Sequence, residues 1–467
     1  MTPEEFRRHG HQAIDWVAEF LTNAERYPVL PAVQPGELTD SLPAHGPEQG
    51  EPMERILADF EKQIVPACTH WNHPGFLAYF ANSGTPEGIL GELLTAAVNG
   101  NGMVWKTSPA VTELEQVTLR WLLEWSGLPA TWFAMIHDTA STSSMHAIAA
   151  AREAIDPEAR IKGATRGLVV YTSAQSHWSI EKGAIALGIG KDNVRNVPVD
   201  SEFRMRVDVL QAMIEADLAA GLRPCCVTAT VGTTSTTSVD PVPAIADLCA
   251  RHGIWLHIDA AYGGAAAIAP EFRWAFEGCE RADSMVMNPH KWLQVPMDCS
   301  VFYCSRPDIL RRAFSIVPDY LVIPTGDRAV NLMDYGVPLG RRFRALKLWF
   351  VMRSYGHEGL AALIREHVRL AKWFEQKVVA DARFEVVAPV RFSVVNFRYN
   401  GTDEDNKRLL ERVNAAGEVF LSNTVLNGKY NLHLAIGNYQ TSERHVGRAW
   451  ELVTQSVDEL GQSAHTS

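Results

Sequence analysis

The residues best placed to do chemistry begin at a lysine. In Ser284-Met285-Val286-Met287-Asn288-Pro289-His290-Lys291-Trp292, the first four residues read as a buried strand. Proline has no amide hydrogen and biases the residue before it away from helix, so Asn288-Pro289 ends that strand. The turn carries Asn288, His290 and Lys291 past the strand's carboxyl end, where ligands bind in open α/β sheets. Flanked by apolar Trp292 and Leu293, the Lys291 amine is set to lose its proton and act as a nucleophile. A lone lysine after a strand is more often an ordinary surface residue, so its company decides the matter.

That company lies upstream, in Ile254-Trp255-Leu256-His257-Ile258-Asp259-Ala260-Ala261-Tyr262-Gly263-Gly264. This is a second buried strand, ended by a carboxylate and then small residues. A carboxylate there needs a buried cationic partner. A protonated pyridine nitrogen is such a partner, and Ala260 and Ala261 leave room for a flat ring. Taken alone, Asp259 reads equally well as a helix cap or a structural ion pair. Asp259 followed by Lys291 supplies what pyridoxal phosphate requires: an acid to keep the ring nitrogen protonated and an amine for the aldehyde.

The runs Leu256-His257-Ile258-Asp259-Ala260-Ala261-Tyr262 and Asn288-Pro289-His290-Lys291-Trp292 resemble the group II pyridoxal-phosphate decarboxylases, most of all the aromatic L-amino-acid decarboxylases. The likeness extends from Phe6 near the start to Trp450 near the end. Asp138-Thr139-Ala140-Ser141-Thr142-Ser143-Ser144 precedes a helical run, Met145 to Ala154. Small hydroxyl residues at a helix start can hold a phosphate, although N-capping is their commoner use. The resemblance makes this stretch the phosphate cup, with contacts from Thr139, Ala140 and Ser141 together with Asn288. It implies that His177 stacks on the cofactor ring near the reacting carboxylate and that Thr234 faces the ring's 3′ oxygen. Ala261 and His290 join the cofactor set.

The resemblance also implies a substrate pocket. Trp71, Tyr79 and Phe80, from an aromatic-rich segment that would otherwise read as buried extended chain, form its wall. Asn82 stands where the family often has threonine, and Ala81 where it often has proline. Met103 and Val104, on a glycine-rich turn, are expected to line the neighbouring subunit's site, and Gly340 joins the substrate set. Val317 to Leu321 aligns with the family's catalytic loop, and Tyr320 with its tyrosine.

Strands and helices alternate around these residues. Leu168–Tyr171 ends near His177, Val227–Val231 ends near Thr234, and Asp259 and Lys291 end two more. One face of one sheet is expected to collect all four. Apolar residues recur at helical spacing over 4–22 and 52–65. These helices have too little core of their own and call for a surface to pack on. Residues 313–337 are punctuated by Pro318, Pro324, Gly326 and Gly336 and predict a long mobile loop. Gly188-Ile189-Gly190-Lys191 lacks the spacing of a nucleotide fingerprint. A helix is expected to open at Gly340, with strands near 384–398 and 431–436 and a helix over 403–415.

The 467 residues exceed one compact core, so about two or three domains are expected. Apolar residues at 46% and charged residues at 21% are ordinary for a globular protein. The net charge of −11 argues against nucleic acid or an anionic membrane as partner. No apolar run reaches a membrane span, and the first residues lack a signal-peptide core, so the cytosol is the expected compartment. Seven cysteines without metal spacing predict free, mostly buried thiols.

The resemblance therefore implies a three-layer α/β protein of fold-type I, aminotransferase-like, with a mostly parallel seven-stranded sheet. Residues 1–85 would be a helical arm, 86–360 a large cofactor domain and 361–467 a small C-terminal domain. A homodimer with active sites at the subunit interface is expected. The implied reaction takes an aromatic L-amino acid to its amine and carbon dioxide, with Lys291 carrying the cofactor, Asp259 holding its ring nitrogen, and Tyr320, assisted by His177, returning a proton to Cα. Three alternatives stand beside it. An aldehyde synthase of the same family would tend to lack the tyrosine or the histidine, and both are present. A decarboxylase of a non-aromatic amino acid such as glutamate is disfavoured by the aromatic segment. A non-catalytic binding protein is disfavoured by the intact Lys291, Asp259 and His177.

Overall fold

The computed structural model describes residues 1–163, 167–316 and 329–464. They form two compact units: residues 82–375 with 386–396, and residues 1–81 with 376–385 and 397–467. This division differs from one by chain order. The amino-terminal helices group with the carboxyl-terminal residues, and the position 360/361 lies inside one helical run, Ala345–Ala380, whose non-helical point is Gly356.

The larger unit is built on seven strands: β1 (Phe133–His137), β2 (Leu168–Ser173), β3 (Val194–Val197), β4 (Arg223–Thr230), β5 (Trp255–Asp259), β6 (Ser284–Met287) and β7 (Ser300–Cys304). Their order is β1-β7-β6-β5-β4-β2-β3. The pairs β2/β3, β2/β4, β4/β5 and β5/β6 are parallel, and β7 runs antiparallel to both β6 and β1. Every residue of β2, β5, β6 and β7 is buried, as expected for strands covered on both faces. Parallel neighbours need crossovers, and the helices Ser179–Ala186, Val207–Ala219 and Val242–His252 lie in them. Gly253, at φ 64°, takes the left-handed turn that ends the last of these and lets β5 begin.

The helix Ala140–Ile155 follows β1. Its Ala147, Ala150 and Ala151 are fully buried in one cluster with Met135, Val170, Trp255 and Phe302. Methyl-sized side chains let the helix axis approach the sheet closely, so its amino-terminal turn is held rigidly beside the strand ends.

The smaller unit begins with the helix Pro3–Thr22, closed by a capping box in which Thr2 and Glu5 satisfy each other's amides at 2.7 and 3.2 Å. Its Trp16 stacks on Phe20 at 5.1 Å and meets Phe60 edge-on at 4.9 Å. The rest of the chain adds β8 (Phe384–Val386), β9 (Val394–Tyr399), β10 (Ser422–Leu426) and β11 (Lys429–Ala435), in the order β10-β11-β9-β8. Asn427 and Gly428, at φ 51° and 77°, make the two-residue turn of the β10–β11 hairpin. Leu77 joins this unit by giving its amide to Phe420 O and taking that of Ala435, both at 2.9 Å.

Two expectations change here. The long loop read over 313–337 is shorter at both ends, because Phe314 closes the helix Pro307–Phe314 and Leu332–Tyr335 forms a buried 3-10 turn. Apolar Leu332 and Met333 supply that burial, which the Pro/Gly punctuation masked. The helix expected from Gly340 begins at Ala345, because Arg341 is drawn into a buried ion pair.

Candidate active site

Four adjacent strands deliver the predicted residues to one edge. In the order β6-β5-β4-β2, the chain leaves the sheet at Lys291, Asp259, Thr234 and His177. Parallel strands share one direction, so their carboxyl ends coincide. In β5 the side chains of Trp255, His257 and Asp259 share a face, since side chains alternate along a strand.

Asn288 starts the short helix Pro289–Trp292 that carries Lys291. The Lys291 amide donates to Asn288 O at 2.9 Å, and the Asn288 amide to Ala261 O at 3.0 Å, so the turn after β6 is tied to the one after β5. His290 points back into the protein, where its Nδ1 accepts the Cys299 amide at 2.9 Å. Burial, reinforced by Lys291, lowers its pKa to about 3. Burial also lowers the Lys291 pKa, against the opposing charge of Asp259. Buried Asp259 accepts the Ala261 amide at 3.0 Å on Oδ1.

His177 is half-buried. Its Nδ1 accepts from the Ser179 amide at 3.2 Å and lies 2.7 Å from the Ser179 hydroxyl. The neutral ring therefore carries its proton on Nε2. Burial lowers its pKa, Asp259 opposes that, and Lys291 and Lys182 add to it. His177, Asp259 and Lys291 thus form one electrostatic group.

Thr139, Ala140 and Ser141 open the helix Ala140–Ile155, with Thr139 at its cap. The Thr139 side chain makes no capping bond there, which sets this turn apart from an ordinary N-cap. A helix start leaves amides without intrahelical partners, together with the positive end of the dipole. The buried Oδ1 of Asn288 has no hydrogen-bond partner among the described residues.

Thr234 follows β4, and the other predicted residues lie on other parts of the chain. Thr234 is exposed, beside buried Thr233. Val104 is buried within its own unit, and the carbonyl of half-buried Met103 takes the Met333 amide at 3.2 Å. Gly340 is exposed, one residue before buried Arg341. Asn82 gives its Nδ2 to the Met297 sulfur at 3.8 Å and leaves a buried Oδ1 without a partner among the described residues. Trp71, Tyr79 and Phe80 belong to the smaller unit. There Trp71 stacks on Phe76 at 4.2 Å, Phe80 is buried, and Tyr79 is 56% exposed at φ 50°, with its amide on Ser422 Oγ at 3.1 Å. Tyr320 lies outside the described residues.

The structure adds residues that the motif reading passed over. His257 holds the Ser284 hydroxyl on Nδ1 at 3.0 Å and the Ser144 hydroxyl on Nε2 at 3.1 Å, joining β5, β6 and the helix Ala140–Ile155. Its place two residues before Asp259 was the available signal. Gly263 and Gly264 let the turn after β5 pack closely against its neighbours. A Cβ on Gly263 would lie 2.4 Å from Val231 O, and one on Gly264 2.9 Å from Met287 Cγ.

The arrangement fits pyridoxal phosphate. A lysine of lowered pKa and a buried carboxylate follow neighbouring strands, and a helix start whose amides lack intrahelical partners can take the phosphate. Comparison with known proteins agrees. The family profile described as "Pyridoxal-dependent decarboxylase conserved domain" matches residues 35–400. The chain is 39% identical to the aromatic-L-amino-acid decarboxylase of Catharanthus roseus, across 99% of this chain and 95% of that protein. It is also 39% identical to the phenylacetaldehyde synthase of Arabidopsis thaliana, across 98% and 97%. The crystal structure of Oryza sativa TDC with PLP and tryptamine superposes with a TM-score of 0.95 at 37% identity, covering 98% of this chain and 99% of that one. The fold is that of the fold-type I pyridoxal-phosphate enzymes, and the chain belongs to the pyridoxal-dependent decarboxylase family, as an enzyme that uses pyridoxal phosphate to remove a carboxyl group from an amino acid.

Proposed function

We propose that this enzyme converts an aromatic L-amino acid to the corresponding amine and carbon dioxide, and that it works as a cytoplasmic homodimer. The observation that carries the reading is that Lys291, Asp259 and His177 follow the carboxyl ends of β6, β5 and β2 in one parallel run of the sheet, with Asp259 and Lys291 both acting on the His177 charge. The preference for an aromatic substrate rests on the relatives, whose names include aromatic-amino-acid and tryptophan decarboxylases.

When bound, pyridoxal phosphate supplies the electron sink that lets the Cα–carboxylate bond break. Asp259 keeps a proton on the ring nitrogen by presenting a buried negative charge. Thr139, Ala140, Ser141 and Asn288 hold the phosphate. Lys291 binds the cofactor's aldehyde carbon and, with its lowered pKa, is readily neutral and nucleophilic. His177, neutral with its proton on Nε2, would lie beside the bound cofactor and orient the substrate carboxylate for its departure. Tyr320 returns a proton to Cα. Half-buried Met103 reaches the partner subunit's site, while Val104 is buried in its own unit, and Asn82 and Gly340 border the substrate.

An aldehyde synthase is the second reading, favoured by the relative named phenylacetaldehyde synthase at equal identity. Product analysis with tryptophan, 5-hydroxytryptophan, tyrosine, dihydroxyphenylalanine, phenylalanine and glutamate separates the possibilities. Amine from the aromatic substrates supports the reading. Aldehyde with hydrogen peroxide supports the second, and turnover of glutamate alone overturns both. Light scattering after size exclusion tests the dimer, and a monomer with full activity would remove it.

A further inference from the structure

His146 lies in the second turn of the helix Ala140–Ile155, outside the group of residues given a role above. Its ring is buried, and both of its nitrogens are committed. Nδ1 donates to Thr142 O at 2.7 Å, within the turn that opens the helix. A ring with its only proton on Nδ1 must accept at Nε2, and there it takes the Val337 amide at 3.0 Å. A second proton would set an N–H against that amide N–H. Burial lowers the pKa to about 4, with the Thr142 carbonyl and Asp138 opposing and Arg341 adding. The other rings around it are His137 at 4.2 Å and Phe314 at 4.6 Å.

The segment it holds is built to fit. A Cβ on Gly336 would lie 2.9 Å from His146 Nε2 and 3.4 Å from His137 Cε1. The backbone of Gly336 is extended, so glycine stands there for space and not for conformation. Tyr335 stacks on Phe133 of β1 at 4.3 Å. Beyond Gly340, Arg341 Nη2 donates to Ile136 O at 2.9 Å and to Glu115 Oε1 at 2.7 Å. Exposed Val337, Pro338, Leu339 and Gly340 are therefore held at one end by the buried His146 ring and at the other by buried Arg341. One anchor, at Val337, lands on the helix that follows Asp138–Thr139. The other, at Arg341, lands on the strand that precedes them. The stretch from Val337 to Arg341 is thus tied to the elements on both sides of the phosphate cup.

We infer that His146 is a positioning residue, which as the neutral Nδ1–H ring fixes the Gly340-bearing segment against the first turn of the phosphate cup and so couples the substrate border to the hold on the cofactor. This rests on the proposed roles of Gly340 and the cup. His146 touches neither ligand, and its effect is to set where the two binding surfaces stand relative to one another.

Three variants of the holoenzyme test it. His146→Phe keeps the ring packing and removes both hydrogen bonds. It should raise KM for the aromatic amino acid roughly tenfold while kcat stays within about twofold, the mark of lost uniform binding. It should also weaken pyridoxal phosphate binding severalfold and speed hydrogen exchange in the peptide spanning residues 332–341. His146→Gln places an acceptor near the old Nε2 and should recover much of the KM and of the exchange protection. His146→Asn, whose amide mimics only Nδ1, should not. A His146→Phe enzyme with wild-type KM and cofactor affinity would overturn the inference, even if it melted at lower temperature, because the histidine would then serve stability alone. If His146→Phe does not fold, Gly336→Ala decides: its Cβ crowds Nε2 and should reproduce the KM rise, and a wild-type KM there is equally contrary. A wild-type enzyme that turns over no aromatic amino acid refutes the proposed substrate instead. Exchange in 332–341 and cofactor affinity then still test the coupling.

Discussion

Asp259 stands opposite Val286 in the parallel register of β5 and β6, so its carboxylate ends one strand beside the strand that leads to Lys291. The Asp259 carboxylate counters the drop that burial causes in the Lys291 pKa. Their placement makes the pair separable by mutation.

Asp259→Ala is expected to lose both cofactor affinity and rate. Breaking one side of a buried charge pair costs roughly 3–5 kcal/mol. Titration of the apoenzyme with pyridoxal phosphate, followed by steady-state kinetics, measures both effects. Wild-type values in either assay would remove Asp259 from its role.

Lys291→Ala should fold normally, because the turn is held by backbone bonds from Lys291 and Asn288 that alanine retains. Turnover and the visible absorbance of the lysine-bound cofactor should both vanish while far-ultraviolet circular dichroism is unchanged. A variant that keeps the wild-type spectrum and rate would move the attachment to another lysine.

Tyr320→Phe is expected to leave carbon dioxide release intact and to divert the product. Without a proton donor at Cα, molecular oxygen takes up the electron pair, giving aldehyde, ammonia and hydrogen peroxide in place of amine. Mass spectrometry with a coupled peroxide assay reads the partition. Amine as sole product at the wild-type rate would assign the proton to His177 or a water.

Buried histidines should make the fold acid-sensitive. Burial lowers the pKa of His73, His146 and His257 to about 4, and of His290 to about 3. A histidine whose folded pKa lies below its unfolded 6.5 contributes full stability above pH 6.5. That contribution drains as pH falls towards the folded value, because the unfolded chain binds the proton first. Asp240, raised to about 6 by burial, works the other way, as does Asp283, which burial also raises. The melting temperature should therefore fall from about pH 7 to about pH 5, a range in which most carboxylates stay ionised. A flat or rising profile would show that these histidines take up protons without unfolding.

Much of the site was legible because its signals are local. Asn288-Pro289 stops a strand by proline's own geometry, and a carboxylate ending an apolar strand advertises a buried partner. The alternation of strands and helices was legible for the same reason. What escaped was written in long-range contacts. Nothing in the neighbourhood of His146 announces Val337, and Gly336 resembles a loop glycine until His146 and His137 are seen to fill the space beside it. The grouping of residues 1–81 with the carboxyl-terminal residues depends on pairings such as that of Phe76 with Phe420, which no periodicity reports. Thr233 and Thr234 are chemically alike, and only burial tells the inward one from the outward one.

The antiparallel strand β7 has a consequence for how the enzyme is made. In the sheet β1 pairs with β7 alone, and His137 meets its register partner only when the chain reaches Ser300. A ribosome adding about 5–20 residues per second therefore exposes the β1 segment, and the phosphate cup behind it, for many seconds with an unsatisfied strand edge. The nascent chain should be unable to retain cofactor until residue 304 has cleared the exit tunnel, and during that interval it should be a client for chaperones that shield strand edges.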